Sequence, residues 1–259
     1  MEKIWIKRLE EDFSFYEKEI TGKYFDLIKN KKRMPVERIL ASAEKNKSYD
    51  IYHSTTIEGY QITEKEVENV LLGKIPLKGK ESDSLRNKLA ILGHSLAFDF
   101  VIKMVKKHFD KIRISEELIL DIYFQLFKPS ADAEILDKFS LTGYRKVPVY
   151  IRGSRFVPPA YEKLADLMKS FIQQSNLIKQ PIIKAILCHY FLVTIHPFID
   201  GNGRSARLLM NCILAGNGYK WITISANERE KYFESLKIGQ LENNILPFAD
   251  FILSFYAPR

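Results

Sequence analysis

His196-Pro-Phe-Ile-Asp-Gly-Asn-Gly-Arg-Ser-Ala-Arg207 is the stretch on which the reading of this chain turns. Pro181 to Ile195, before it, is almost wholly apolar and opens on proline, the residue best suited to a first helical position. Arg204 to Ala215 reads as a second helix, ended by Gly216 and Gly218. The stretch is therefore a loop between two buried helices. Gly201-Asn202-Gly203 permits a tight backbone path, and amides at the start of the helix that follows form a ready anion site. Arg204 and Arg207 are three apart and share a face, so two guanidinium forks stand beside those amides and suit a di- or triphosphate. Asp200 offers the hard oxygen that Mg²⁺ takes when phosphates supply the other ligands. His196 has the near-neutral side chain that suits a general base. Each residue alone is ordinary, but a plain turn requires no such set.

Working outward, helical periodicity dominates and the fold class is all-α. Leu85 to Lys107 reads as a long helix with Leu89, Leu92, Leu96, Phe100 and Met104 on one stripe. Ser115 to Phe127, Pro158 to Gln174, Asn227 to Gln240 and Pro247 to Tyr256 read as further helices. Thr63-Glu64-Lys65-Glu66 has the form of a capping box, and Gly73 closes the helix it opens. Val147, Val149 and Ile151 alternate with Pro148, Tyr150 and Arg152 ahead of the turn at Gly153-Ser154, which predicts one short β-hairpin. Pro148 makes its first strand an edge, open to an added peptide strand.

Upstream lies Ser54-Thr-Thr-Ile-Glu58-Gly59. Gly59 reads as a residue just past a helix end, which puts Glu58 where negative charge is disfavoured. That conflict predicts a cationic partner for Glu58 from elsewhere in the chain.

Length and composition fit one compact domain with a modest extension: 259 residues, 46% hydrophobic, net charge +8. The lysine and arginine clusters are small and read as solvated faces. No Cys/His zinc spacing or recognition-helix pattern supports nucleic acid as a partner. Cys188 and Cys212 make no disulfide framework, the first residues turn charged too soon for a signal peptide, and no apolar run spans a bilayer. The expected location is cytoplasmic, with no membrane association.

The 196–207 stretch resembles the Fic family motif, His-Pro-Phe-x-(Asp/Glu)-Gly-Asn-Gly-Arg-x-x-Arg, at every defined position, and Ser54-x-x-x-Glu58-Gly59 is similar to that family's inhibitory motif. The resemblance covers roughly residues 35 to 256. It implies an N-terminal helical extension, 1–85, carrying the inhibitory helix, and a catalytic core, 86–259, with a flap hairpin at 144–159. It implies an autoinhibited transferase that moves AMP from ATP to a Ser, Thr or Tyr hydroxyl of a target protein. By that resemblance His196 is the base, and Asp200 holds Mg²⁺ or Mn²⁺. Gly201, Asn202, Gly203 and Arg204 hold the α- and β-phosphates, and Arg207 holds the γ-phosphate. Tyr232 and Phe233 stand on the adenine side, with Gln240 where the family has asparagine. Ser54 and Glu58 inhibit, Glu58 by pairing with Arg207. The target docks on the flap, and dimerisation is common among such proteins. Two alternatives stand beside this reading. One is a de-AMPylase in which Glu58 activates water. The other is a basic nucleic-acid-binding protein with a non-catalytic loop of this kind.

Overall fold

The computed structural model describes residues 2–74 and 83–256. Helices follow one another as α1 (Glu2–Lys29), α2 (Val36–Lys45), α3 (Lys47–Ile57), α4 (Glu64–Leu71), α5 (Asp83–His108), α6 (Glu116–Asp132), α7 (Leu164–Leu177), α8 (Pro181–Ile195), α9 (Asn202–Gly216), α10 (Arg229–Glu242) and α11 (Leu246–Ser254). The capping box at Thr63 and Glu66 forms, and the Ser115 side chain caps α6. Among the described residues no helix is long and apolar enough to cross a membrane.

Helices α8 and α9 are the centre of the molecule and pack on each other: α8 is almost wholly apolar, and α9 is buried along nearly its whole length, its two arginines included. Helix α5 covers α9 and pairs with α6. The long N-terminal helix α1 lays Phe13, Tyr16 and Ile20 against α7 and α8, and Phe13 stacks on Phe191 at 4.0 Å. A second small cluster of Ile51, Ile62, Val67, Val70 and Ile91 ties α3 and α4 to α5.

Helix α5 differs from its expected stripe. Leu89 is buried, but Leu96 is 39% exposed, while Ala97, Phe98, Val101 and Val105 are fully buried. The helix is covered from several sides, so burial follows its neighbours rather than one periodic face. The closest approach is at Gly93, where an added Cβ would lie 1.8 Å from the Leu126 carbonyl oxygen of α6. Neither backbone can yield there. Gly93→Ala is expected to destabilise the protein by about 3 kcal/mol. A fall in denaturant midpoint with unchanged slope would register it, and an unchanged midpoint would contradict it.

The β-hairpin expectation needs correcting. Among the described residues no strand forms; residues 145–160 run as irregular chain with a turn closed by Ser154 N–H donating to the Ile151 carbonyl at 3.0 Å. Pro148, Pro158 and Pro159 lack the N–H that a ladder requires. Val147, Tyr150 and Val157 are exposed at 48%, 80% and 60%, so the alternating pattern buries no face. An isolated two-stranded ribbon of this kind is marginal in water. The helix expected from Pro158 starts later for the same reason: a 3₁₀ turn, Tyr161–Lys163, leads into α7.

Candidate active site

The loop between α8 and α9 carries the candidate chemistry. Helix α8 ends on His196, whose backbone is left-handed at φ 53° and whose N–H donates to the Leu192 carbonyl at 3.0 Å. A non-glycine residue there costs about 1 kcal/mol or more, and such outliers concentrate at functional sites. The ring is half-buried, with Nδ1 3.2 Å from the Val193 carbonyl oxygen. A carbonyl only accepts, so Nδ1 carries the proton and Nε2 keeps its lone pair. Burial, with the Arg145 cation adding to it, lowers the proton affinity of the imidazole below the usual 6.5. The ring is therefore neutral at neutral pH and able to accept a proton at Nε2.

Gly201, at φ 78°, turns the chain into α9, and no side chain caps that helix. Asn202 is held away from such a role: its Oδ1 accepts from Phe198 N–H at 3.0 Å and its Nδ2 donates to the Phe198 carbonyl at 2.9 Å, closing the loop on itself. Phe198 in turn stacks on Tyr123 of α6 at 3.8 Å. The first backbone N–H groups of α9 are left pointing out of the helix end, where the macrodipole adds positive character.

Arg204 is fully buried between Tyr60 and Phe127, with its guanidinium carbon 5.2 and 5.1 Å from the two ring centres. Its Nε and Nη1 are buried without a hydrogen-bond partner, and its nearest ion-pair contact is Asp200, at 3.6 Å. A buried cation this poorly paired is expensive unless an anion reaches it. Asp200 is half-exposed, with Oδ1 accepting from Gly201 N–H at 2.6 Å. Asp200 and Arg204 share the wall of a cavity of about 440 Å³ with Tyr60, Arg86 and Tyr123. Among the described residues no group of three or more His, Cys, Asp or Glu could hold a metal by itself. One accessible carboxylate beside an anion site fits Mg²⁺ that takes most of its ligands from phosphate and water.

Arg207 faces the other way and is already engaged. Its Nη2 donates to Glu58 Oε1 at 2.7 Å and to the Ser54 carbonyl at 2.8 Å, and its Nε donates to Ser54 Oγ at 2.9 Å. Its Nη1 lies 3.4 Å from the Tyr232 hydroxyl, which meets His189 Nε2 at 3.0 Å. Burial and the neighbouring Arg207 push the proton affinity of His189 well down, so the ring is neutral at neutral pH. The sequence-predicted partner of Glu58 is thus in place across α3 and α9. An added Cβ on Gly203 would lie 2.3 Å from Glu58 Oε1, so only glycine leaves the carboxylate room.

Tyr232 and Phe233 separate in the structure. Tyr232 is 1% exposed and supports Arg207 from inside the core, with no face open to a base. Phe233 is 36% exposed and lies under the Arg229 guanidinium at 4.8 Å. Gln240 donates to Thr194 Oγ1 at 3.3 Å and lines a smaller cavity, about 170 Å³, with Phe156, Pro159 and Tyr190.

Some contributors were not legible in the chain. Helix α3 is pinned at successive turns. The buried Asp50 accepts from Trp221 Nε1 at 2.9 Å and from the Thr223 hydroxyl, and it faces His94 Nε2 at 3.3 Å. His53 Nδ1 accepts from Ala226 N–H at 3.0 Å, and Arg229 Nε donates to the Ile57 carbonyl at 2.8 Å. His94 lies 44 residues from Asp50 and the other partners lie 171 to 173 residues away, and nothing local announces them. Arg145 likewise bore no mark in the sequence, and it links the loop to residues 147–159.

A model described as the Fic/DOC family matches residues 113–214. The chain is 36% identical over 207 residues to a protein named protein adenylyltransferase Fic from Drosophila grimshawi, covering 78% of this chain and 40% of that protein. The Drosophila erecta protein of the same name is 35% identical over 206 residues, covering 78% and 39%. The chain therefore spans about two fifths of the length of these relatives. In fold it is similar to Fic-1 from C. elegans, with TM-score 0.71, 23% identity and coverage of 94% of this chain and 70% of that one. It is also similar to a Fic-domain-containing signaling protein from Bacteroides thetaiotaomicron, with TM-score 0.68, 24% identity and coverage of 93% of both chains.

Proposed function

The chain belongs to the Fic/DOC family through the Fic domain it carries, and from that premise we propose that it is a protein adenylyltransferase held inactive by its own Glu58. The observation that carries the autoinhibited reading is the 2.7 Å contact between Glu58 Oε1 and Arg207 Nη2. In this reading the amides of Asn202, Gly203 and Arg204 and the buried Arg204 guanidinium receive the α- and β-phosphates of ATP. Asp200 would hold Mg²⁺, which would supply charge neutralisation at the phosphates. A target Ser, Thr or Tyr hydroxyl gives its proton to His196 Nε2 as its oxygen bonds to the α-phosphorus. The bond from the α-phosphorus to the bridging oxygen breaks, and pyrophosphate leaves. Arg204 and the α9 amides are fixed donors toward the charge that develops.

Arg207 is the group that would take the γ-phosphate, and it is bound to Glu58 and Ser54. A triphosphate entering beside that ion pair is turned from in-line geometry, and near-attack alignment is lost. The base side falls to Phe233 and Gln240, and Tyr232 acts through Arg207. The target is expected to dock along residues 144–159, whose backbone is open.

The test is labelling by the Glu58→Gly chain with ATP carrying its label at either the α- or the γ-phosphate. Label retained on protein only from the α position, well above the unsubstituted chain, is the expected result. Retention from the γ position, or from neither, would sink the proposal. The Glu58 carboxylate, one-fifth exposed beside α9, supports a second reading in which it orients water to remove AMP. In that case Glu58→Gly would abolish release of AMP from a modified protein.

A further inference from the structure

Arg145 is 4% exposed, and its hydrogen bonds converge on the active-site loop and on both ends of the flap, residues 147–157. Its Nε donates to the His196 carbonyl at 2.9 Å and its Nη1 to the Val147 carbonyl at 2.9 Å, while its Nη2 donates to the Pro159 carbonyl. Its backbone N–H donates to the Pro197 carbonyl at 2.8 Å. One guanidinium thus joins three stretches of chain that meet nowhere else through a ladder. We infer that Arg145 is a positioning residue that holds the flap and the left-handed backbone of His196 as one unit.

Two features of the surroundings make this more than a packing contact. The flap cannot hold itself: its prolines remove ladder donors, and Val147, Tyr150 and Val157 lie exposed without a core beneath them. What fixes its two ends is the fork, whose N–H groups leave in divergent directions that lysine or glutamine cannot reproduce. His196 meanwhile sits at φ 53°, a backbone conformation that a non-glycine residue keeps only when its surroundings hold it. An arginine that binds this carbonyl and the flap ends couples the placement of the base to the placement of whatever lies along the flap. It also brings a cation near the imidazole, where the other charges bearing on it are Glu58 and Asp200.

This inference rests on the transferase reading, so its test includes measurements that need no activity. The parent is the full Glu58→Gly chain, compared with the same chain carrying Arg145→Gln or Arg145→Lys. Three quantities are read. They are kcat and KM for AMP transfer, the His196 imidazole titration by NMR (assigned against a His196-substituted chain), and exchange of the flap amides of Ser154 and Phe156, which are hydrogen-bonded within that segment. Arg145→Gln is expected to lower kcat on the order of 10²-fold with KM for ATP nearly unchanged. It should move the His196 titration to higher pH, because a repelling cation is gone, and should speed flap exchange on the order of tenfold. Arg145→Lys keeps the charge and loses the fork, so the titration should return toward the parent while flap exchange stays fast and kcat stays low. Parent-like titration and flap exchange in Arg145→Gln would overturn the inference. Should that variant not fold, parent-like flap exchange in Arg145→Lys would do so. A parent that transfers no AMP would count against the transferase reading alone, since the titration and the exchange still decide the role of Arg145.

Discussion

Replacing His196 with asparagine in the Glu58→Gly chain is expected to lower the single-turnover rate of AMP transfer by roughly 10²- to 10⁴-fold, the range for loss of a general base. Asparagine is chosen because it tolerates the left-handed backbone at this position better than alanine does, which isolates loss of the imidazole from strain in the loop. ATP affinity should hold within a few fold, because the proposed phosphate contacts belong to Arg204 and the α9 amides. Where His196 is intact, the rate should fall as pH drops through a pKa lower than 6.5, because burial and the Arg145 cation disfavour the protonated ring. That limb should vanish in the asparagine variant. A variant that retains the parental rate, or the same acid limb, would remove His196 from the reaction.

Replacing Arg204 with methionine is expected to move stability and activity in opposite directions. Its guanidinium is fully buried with two unpartnered nitrogens, and the contacts with Tyr60 and Phe127 recover about 2 kcal/mol or more. The desolvation of a buried ion is several kcal/mol, and exchange of such groups for apolar ones of similar volume is often stabilising by about 1–4 kcal/mol. Arg204→Met should therefore raise the unfolding temperature of the nucleotide-free protein. It should also lower AMP transfer by roughly 10²- to 10³-fold, as for loss of one preorganised charge-stabilising donor. Added ATP should no longer raise the unfolding temperature as mass action requires of a bound ligand. A destabilised variant would show that the aromatic cage, not an awaited anion, accounts for this arginine. A variant with full activity would show that the phosphates are held elsewhere.

The elements read most accurately from the chain are those whose signals are local. Helix α8 spans Pro181–Ile195 as expected, because it opens on a proline and runs almost wholly apolar up to the His196-Pro197 boundary. Gly59 stands at φ 94° just past α3, as its place after Glu58 predicted. The flap was misread because alternation is only a pattern of residue types. It becomes a strand when one face finds a core, and here the prolines and open solvent deny it one. Tyr232 and Phe233 differ in burial for a related reason. Two adjacent rings on α10 point in different directions, and which one is buried depends on His189 and Arg207 from other helices.

By itself, the sequence determined the helical class, the 196–207 loop with its ordered set of histidine, carboxylate, glycines and arginines, and the glutamate at a helix end that requires a cation. Those follow from propensity, capping and spacing along one strand of chain. Only the tertiary structure decided that the loop's two arginines have opposite fates, one caged without an adequate counter-charge and the other already paired with Glu58 and Ser54. It also decided that Arg145 ties residues 147 and 159 to His196 and that Asp50, His53 and Ile57 anchor α3. Each of these joins residues tens to about 170 positions apart. Their geometry is set by how α3, α5, α8, α9 and α10 pack, and no local signal in the chain encodes that packing.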